Sequence, residues 1–365
     1  MKKAVFLHLA VVLLDFRCYI RNIMKKKVSI SDIALACNVS AMTVSRALRE
    51  SSKVRNSTRS KILAKAEELG YFKSSRLGRP ELLDRTQPPA RVCLILGGAG
   101  STVSIFHSRL VNSIQRNLIK HNCECLLYSN DASYQSFLIL LEAVKRQSAD
   151  ATIIIGDFPA GQLKTLLMTC PGAILLDNPG IEEFDATFSS FNFDNYAGIS
   201  DMLEHLLTSG RRNIVLLNGR KDHFFSEAMA KAYQQKLREH NLPFNKAMVL
   251  HADFTAPGAA KVMEEFLSRK IPFDAVFSND EMALGAYRTL LSCNIDIPQS
   301  VALAGCDNLP LGQMLYPALS TVDLDYGLLA DAAVKFILER DGEFKPRRML
   351  IKPQLLIRES TLKKS

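Results

Sequence analysis

The sequence predicts two fold types in one chain: an N-terminal all-α helix-turn-helix domain, followed by an α/β body of two lobes built on doubly wound parallel sheets. Three observations carry this. Of 365 residues, 47% are apolar and 23% charged, with 18 Gly and 14 Pro, a composition that can bury more than one core and excludes collagen-like and disordered chains. The positive charge sits at the front: residues 25–91 hold 15 basic and 6 acidic side chains, whereas residues 92–365 hold 27 and 30. From Val92 onward, apolar runs of strand length alternate with amphipathic stretches of helix length, as in parallel α/β sheets.

Residues 1–24 stand apart. Lys2-Lys3 followed by the apolar run from Ala4 to Leu14 imitates the start of a secretory signal, although the run is too short to span a bilayer. No small-x-small cleavage site follows; the run leads into Asp15-Phe16-Arg17-Cys18-Tyr19, and Met24 opens a Lys25-Lys26-Lys27 cluster. The segment reads as a disordered extension or the product of an upstream start.

Residues 25–72 form the predicted helix-turn-helix domain. Ser29-Ile30-Ser31-Asp32 fits a capping box, and Ile33, Ala34 and Cys37 fall on one helical face. Asn38, tolerant of left-handed backbone, ends that helix, and Ser40 caps a second whose apolar stripe is Val44, Ala47 and Leu48. Ser57-Thr58 opens a third, from Arg59 to Leu69, with Ile62, Leu63, Ala66 and Leu69 as its buried stripe and Gly70 as its stop. A basic head on a near-neutral body is the charge distribution of a polyanion-binding module. With the second helix in a major groove, Ala41, Met42, Ser45 and Arg46 reach base edges, Arg46 by a bidentate contact to guanine. Thr43, Arg49, Lys53, Arg55, Thr58 and Arg59, together with Ser29, supply the remaining DNA contacts, chiefly to phosphate.

In the body, strands are predicted at residues 92–96, 125–128, 152–155, 173–176, 214–217, 275–278 and 301–305. Helices are predicted at 109–120, 196–209, 227–240 and 256–269. The connection at residues 177–192 divides the body into two similar halves, and ligands of such sheets bind at the carboxyl ends of the strands. The eight cysteines are scattered through apolar runs as reduced thiols; Cys123-x-Cys125 lacks the second ligand pair of a zinc site. Gly97-Gly98-Ala99-Gly100 lacks both the Gly-Lys-Ser/Thr of a P-loop and the last glycine of a dinucleotide fingerprint, and no Gly-x-Ser-x-Gly elbow or metal-spaced His pair occurs. Neither catalysis, a metal nor a cofactor is expected.

Residues 28–49 and 54–71, above all Val39-Ser40-x-x-Thr43-Val44-Ser45-Arg46, resemble the DNA-binding head of the Lac and galactose repressor family. The resemblance continues through Ser278-Asn279-Asp280-Glu281-Met282-Ala283-Leu284-Gly285-Ala286, residues 297–307 and Pro317-Ala318-Leu319-Ser320-Thr321-Val322, and so covers nearly all of residues 28–360. It implies a cytoplasmic transcriptional regulator whose body, residues 92–360, is periplasmic-binding-protein-like. It further implies a homodimer on a near-palindromic operator, a sugar or sugar acid as effector, and no membrane association. By position in the family, Asp177, Asn279, Asp280 and Asp307 are the candidate polyol-binding residues, and Phe106, His107 and Phe254 the lining. Where the family has an effector-binding Arg, this chain has Met229, four residues before Tyr233, so that Arg220, Lys221 or Lys231 must substitute if a cation is needed.

The hinge, residues 73–91, departs too. Gly78 and Pro80 disfavour the family's short helix, by roughly 1 and 3 kcal/mol at interior positions, leaving Leu77 as the minor-groove wedge or Arg76 and Arg79 as an extended arm. The C-terminal residues show no heptad repeat, so a dimer is expected over a coiled-coil tetramer. The competing reading from another class is a secreted periplasmic solute-binding protein, which leaves the basic head without a role.

Overall fold

The computed structural model describes residues 29–48, 54–69, 90–98, 104–131, 133–339 and 344–362. The expectations for residues 1–24, for Arg49, Lys53 and Gly70, and for the hinge around Leu77, Gly78 and Pro80 lie outside them. The chain divides into two compact units, Met1–Gln87 and Pro88–Ser365.

In the first unit, α1 (Ile30–Cys37) begins at a complete capping box: the Asp32 N–H donates to Ser29 Oγ at 3.3 Å and the Ser29 N–H to Asp32 Oδ2 at 2.7 Å. It stops at Asn38, whose φ of 52° is the left-handed conformation that a short polar side chain tolerates. Ser40 then caps α2 (Ala41–Ala47) by accepting the Thr43 N–H at 3.1 Å. The third helix, α3, runs Asn56–Glu68, three residues earlier than expected, because the Arg59 N–H already bonds the Arg55 carbonyl. Ile33, Val44, Ala47, Ile62 and Ala66 form the shared core. Leu63, expected to be buried, is 42% exposed. Ile62 and Ala66 face inward at the i, i+4 spacing, and Leu63 lies a further 100° or so around the helix.

The second unit holds two six-stranded sheets with the same winding. Its elements run β1 (Arg91–Leu96), α4 (Ile105–Lys120), β2 (Glu124–Ser129), α5 (Tyr134–Arg146), β3 (Ala151–Ile155), α6 (Ala160–Thr169), β4 (Ile174–Leu176) and β5 (Ser189–Phe193) in lobe 1. Lobe 2 continues with α7 (Asn195–Thr208), β6 (Ile214–Asn218), α8 (Phe224–Glu239), β7 (Val249–His251), α9 (Ala256–Ser268), β8 (Ala275–Phe277), α10 (Asp280–Ser292), β9 (Ala302–Cys306), α11 (Pro310–Gln313) and β10 (Ser320–Asp323). Helix α12 (Tyr326–Leu338) and β11 (Arg348–Ile351) return to lobe 1, and β12 (Gln354–Leu356) ends on lobe 2. Strand orders are β2-β1-β3-β4-β5-β11 and β7-β6-β8-β9-β10-β12, parallel throughout except for the antiparallel β10–β12 edge.

The dividing line differs from the expectation. Residues 177–192 do not separate the lobes, since β5 lies within that stretch and pairs with β4 in lobe 1. The chain crosses three times instead, between β5 and α7, between β10 and α12, and between β11 and β12. Three strands through the waist restrict relative motion of the lobes to a hinge of a few residues. A continuous inner core runs through both lobes, from Leu94 and Phe191 to Ile214, Met229 and Leu329, while separate clusters back the outer faces.

Candidate effector cleft and nucleic-acid interface

On the head, Val44 and Ala47 anchor α2 to the core, leaving Ala41, Met42 and Arg46 exposed and Thr43 and Ser45 half-buried. Met42, at 61%, is among the largest exposed apolar side chains in the molecule. Ser29 and Arg55 are exposed, and Thr58 and Arg59 half-buried. The caps at the starts of α1 and α2 thus fix a short second helix that presents one guanidinium and apolar side chains outward.

In the body, the carboxyl ends of ten of the parallel strands, β1 to β10, line one cavity of about 610 Å³. From lobe 1 come Gly97 and Gly98 after β1, Asn130 and Asp131 after β2, Asp157 after β3, Asp177 after β4 and Asn195 after β5. Lobe 2 answers with Arg220 and His223 after β6, Asp253, Phe254 and Thr255 after β7, Asn279 and Glu281 after β8, Asp307 after β9 and Leu324 after β10. Parallel strands end their hydrogen-bonded ladder at this edge, which is where side chains are free to meet a ligand.

Two aromatic groups wall the cavity. Phe106 packs edge-on to His107 at 5.1 Å and against Tyr326 at 5.5 Å between ring centroids. Across from it, Phe254 meets His223 at 4.8 Å and lies so close over Gly219 that a Cβ there would sit 2.0 Å from its ring. Gly219 is thus required by this close approach. Asp177, Phe254, Asp307 and Asn308 all take positive φ, at 52°, 68°, 116° and 48°. Four non-glycine residues held in this sparsely populated region around one cavity are the strain expected of a ligand site.

The polar geometry links the lobes. His107 accepts or donates at 2.9 Å to the Ser104 hydroxyl through Nδ1 and lies 3.3 Å from Asp177 through Nε2. Arg220 of lobe 2 forms an ion pair with Asp157 of lobe 1. Arg109, on α4, donates to the carbonyls of Asp307 at 3.2 Å and Asn308 at 2.5 Å, and stacks over Tyr326 at 4.4 Å. The Tyr326 hydroxyl donates to the same Asp307 carbonyl at 3.1 Å. Asp307 itself is 5% exposed; burial, with Asp280 and Asp177 nearby, pushes its carboxyl well above the usual range. Glu281 is raised by burial and by Asp253, while burial lowers His223.

Six of the eight expected effector residues line this cavity: Phe106, His107, Asp177, Phe254, Asn279 and Asp307. Two do not. Asp280 is 1% exposed and turned away, its carboxylate accepting the Leu309 N–H and the Thr321 hydroxyl, both at 2.6 Å. Met229 is fully buried in the inner core, on the same helical face as Tyr233. Of the proposed substitutes for the family arginine, Arg220 reaches the cavity, whereas Lys231 pairs with Glu227 on the surface and Lys221 is exposed. Asn130, Asp131, Asp157, His223, Asp253 and Glu281 were not singled out from the sequence, although each follows a strand end within a few residues. Among the described residues, no group of three or more His, Cys, Asp or Glu is placed to hold a metal ion, and no helix is long and apolar enough to cross a membrane.

Residues 29–74 match the family of bacterial regulatory proteins of the lacI type, and residues 203–361 match a periplasmic binding protein-like domain. Among curated relatives, catabolite control protein A of Priestia megaterium is 26% identical over 297 residues, covering 81% of this chain and 87% of that protein. The NTD biosynthesis operon regulator of Bacillus subtilis is 27% identical over 342 residues (91% and 99%), and the ribose operon repressor of Escherichia coli 22% over 338 (91% and 99%). Of solved structures, a CelR–cellobiose complex superposes with a TM-score of 0.67 at 22% identity, covering 91% of this chain and 99% of that one. The Lac repressor dimer bound to operator and an anti-inducer gives 0.66 at 21% identity, covering 93% and 100%. These likenesses establish the shared fold.

Proposed function

This chain belongs to the LacI family of bacterial regulatory proteins, and from that premise we propose how its parts divide the work of a ligand-controlled transcriptional repressor. Residues 25–72 bind a near-palindromic operator, residues 73–91 connect, and residues 92–360 dimerise and bind a sugar. The observation that carries the reading is the pairing of a capped, cation-bearing α2 with a cavity at ten strand ends in one chain. A secreted solute-binding protein would use the cavity alone. The regulator's site of action is the cytoplasm, and it performs no catalysis.

The mechanism is population shift. A ligand spanning the cavity touches strand ends of both lobes, so it binds the closed arrangement more tightly than the open one and moves the equilibrium by that difference. Arg109 ties the motion to the site, because it grips the carbonyls of the very loop that presents Asp307.

As a test, operator duplexes are selected from a random pool with the full chain, and affinity for the winner is measured against a sugar panel. Enrichment of a two-fold-symmetric site whose affinity responds to a sugar is expected; no preference over random duplex, with or without sugars, overturns the reading.

We propose that the dimer forms through the face that carries Leu291 on α10, Leu311 on α11, and Met314 and Tyr316 beyond it, all exposed apolar side chains; the Tyr287 hydroxyl of α10 donates to the Tyr316 carbonyl at 2.7 Å. Tyr316→Asp is expected to weaken the dimer by about tenfold, with the melting temperature of the body little changed, since Tyr316 is 86% exposed. Sedimentation equilibrium checks this; an unchanged dimer constant removes this face from the interface.

A further inference from the structure

The sign of the charge inside the cleft narrows the ligand, on the reading that this cleft is the effector site. Its lining carries six carboxylates, Asp131, Asp157, Asp177, Asp253, Glu281 and Asp307, against one guanidinium and two imidazoles.

Most of these groups have internal partners. Arg220 pairs through Nη2 with Asp157, and Asp222 lies 3.8 Å from its Nε, which has no hydrogen-bond partner among the described residues, so its charge is shared with two carboxylates before any anion arrives. Asp177 lies against His107, Asp131 accepts the Ser133 N–H at 2.9 Å, and Asp253 accepts the Thr255 N–H and hydroxyl. Glu281 and Asp307 remain. Among the described residues, the Ile105 backbone N–H alone favours the charge of Glu281, and Asp253 opposes it. Asp307 is the sharper case: among the described residues its carboxylate meets the Cys306 thiol and no N–H or hydroxyl donor, and Arg109 beside it is committed to main-chain carbonyls. A nearly fully buried carboxyl that faces a cavity with only a weak thiol donor beside it is poorly stabilised in its charged form and suits a ligand that brings a strong donor. Asn130 adds to the same cavity a buried Oδ1 that has no partner among the described residues.

We propose that the effector is an aminated sugar, its ammonium group received at the Asp307 carboxyl, with Glu281 adding to the negative field of the cleft, and its hydroxyls by the remaining acids and amides. An ammonium supplies three donors and a positive charge, which draw Asp307 into its ionised form. A sugar acid or sugar phosphate would instead place a second anion among six carboxylates with its one guanidinium already paired.

The test measures binding of matched probes to the full chain by calorimetry: glucosamine and galactosamine, their neutral parents, their N-acetyl forms, glucuronate and glucose 6-phosphate. Each amine is expected to bind about tenfold tighter than its neutral parent and its N-acetyl form, with no detectable binding of the two anions. Asp307→Asn is expected to erase the amine preference and Glu281→Gln to reduce it, and melting curves like that of the native chain show that the variants are folded. No binding of either amine, or a neutral or anionic probe that binds tighter, overturns the proposal. Operator affinity separates the two levels: a neutral sugar that shifts it leaves the effector reading intact and removes the amine, whereas an amine that binds without shifting it removes the effector role.

Discussion

Asp280→Ala is expected to destabilise the body by about 2–4 kcal/mol without removing a ligand contact. The carboxylate is 1% exposed and holds two elements together: Oδ2 accepts the Leu309 N–H at the start of α11, and Oδ1 accepts the Thr321 hydroxyl of β10. Gly305 on β9 packs onto the same group, since a Cβ there would lie 2.0 Å from Oδ1. Truncation leaves the buried Leu309 N–H without its acceptor and the Thr321 hydroxyl with only a long 3.4 Å bond to the Val322 carbonyl, and it opens a hole between β9, β10 and α10; an orphaned buried group costs on the order of 1–3 kcal/mol. A pH signature accompanies it. Burial pushes the Asp280 carboxyl up from 3.8 to about 6, against the pull of Thr321 and the Leu309 N–H. The native chain therefore holds a proton that the unfolded chain has released in that window, so this group makes stability fall as pH rises from about 3.8 to about 6. The variant loses that share of the slope, and Asp307, shifted in the same direction, keeps its own. Urea melts across this pH range check both parts. A melt unchanged at pH 7, or a loss of sugar affinity with full stability, returns Asp280 to the ligand.

The same residue shows how far local sequence reaches. The acids of Asn279-Asp280-Glu281 are equally polar on paper, but a helix turns about 100° per residue. Asn279 becomes the cap by accepting the Met282 N–H at 3.0 Å, Asp280 rotates inward and Glu281 faces the cavity. Position in the family pointed to the neighbour of the residue that faces the cavity. Met229 is the parallel case: its spacing to Tyr233 is an i, i+4 core spacing, and both side chains are buried.

Short-range signals served better. The capping box at Ser29, the left-handed Asn38 and the cap at Ser40 are complete within three or four residues each, and all three have the expected geometry. Apolar runs such as residues 92–96 and 214–217 announced the strands buried on both faces. Strand β5, Ser189-Ser190-Phe191-Asn192-Phe193, escaped because serines and an asparagine interrupt it, and with it went the true first crossing. Nothing local could reveal the grip of Arg109 on Asp307, which joins residues 198 apart. The Arg220–Asp157 pair, 63 residues apart, was equally hidden.

Replacement of Arg46 by alanine is expected to weaken operator binding by about 1–3 kcal/mol, roughly fivefold to 150-fold, while affinity for random duplex changes about twofold or less. The reason lies in the shape of α2. It has seven residues, and Val44 and Ala47 fix its inner face to the core formed with Ile33 and Ile62, so the orientation of its outer face is set by packing. Arg46 is exposed on that face, next to Ala41 and Met42, which have no hydrogen-bonding side chains. Of the base-facing set it alone carries the planar fork that matches guanine O6 and N7. Arg55, exposed just before α3, supplies the contrast. As a phosphate contact it carries no sequence information, so Arg55→Ala should weaken operator and random duplex alike and reduce the salt dependence of binding by about one ion. Both variants leave the head core untouched and should keep the wild-type melting curve. Titration of each against the selected operator and a random competitor over a range of salt separates the roles: equal losses on the two duplexes for the Arg46 variant would reassign it to the backbone and leave base reading to Ser45 and Met42.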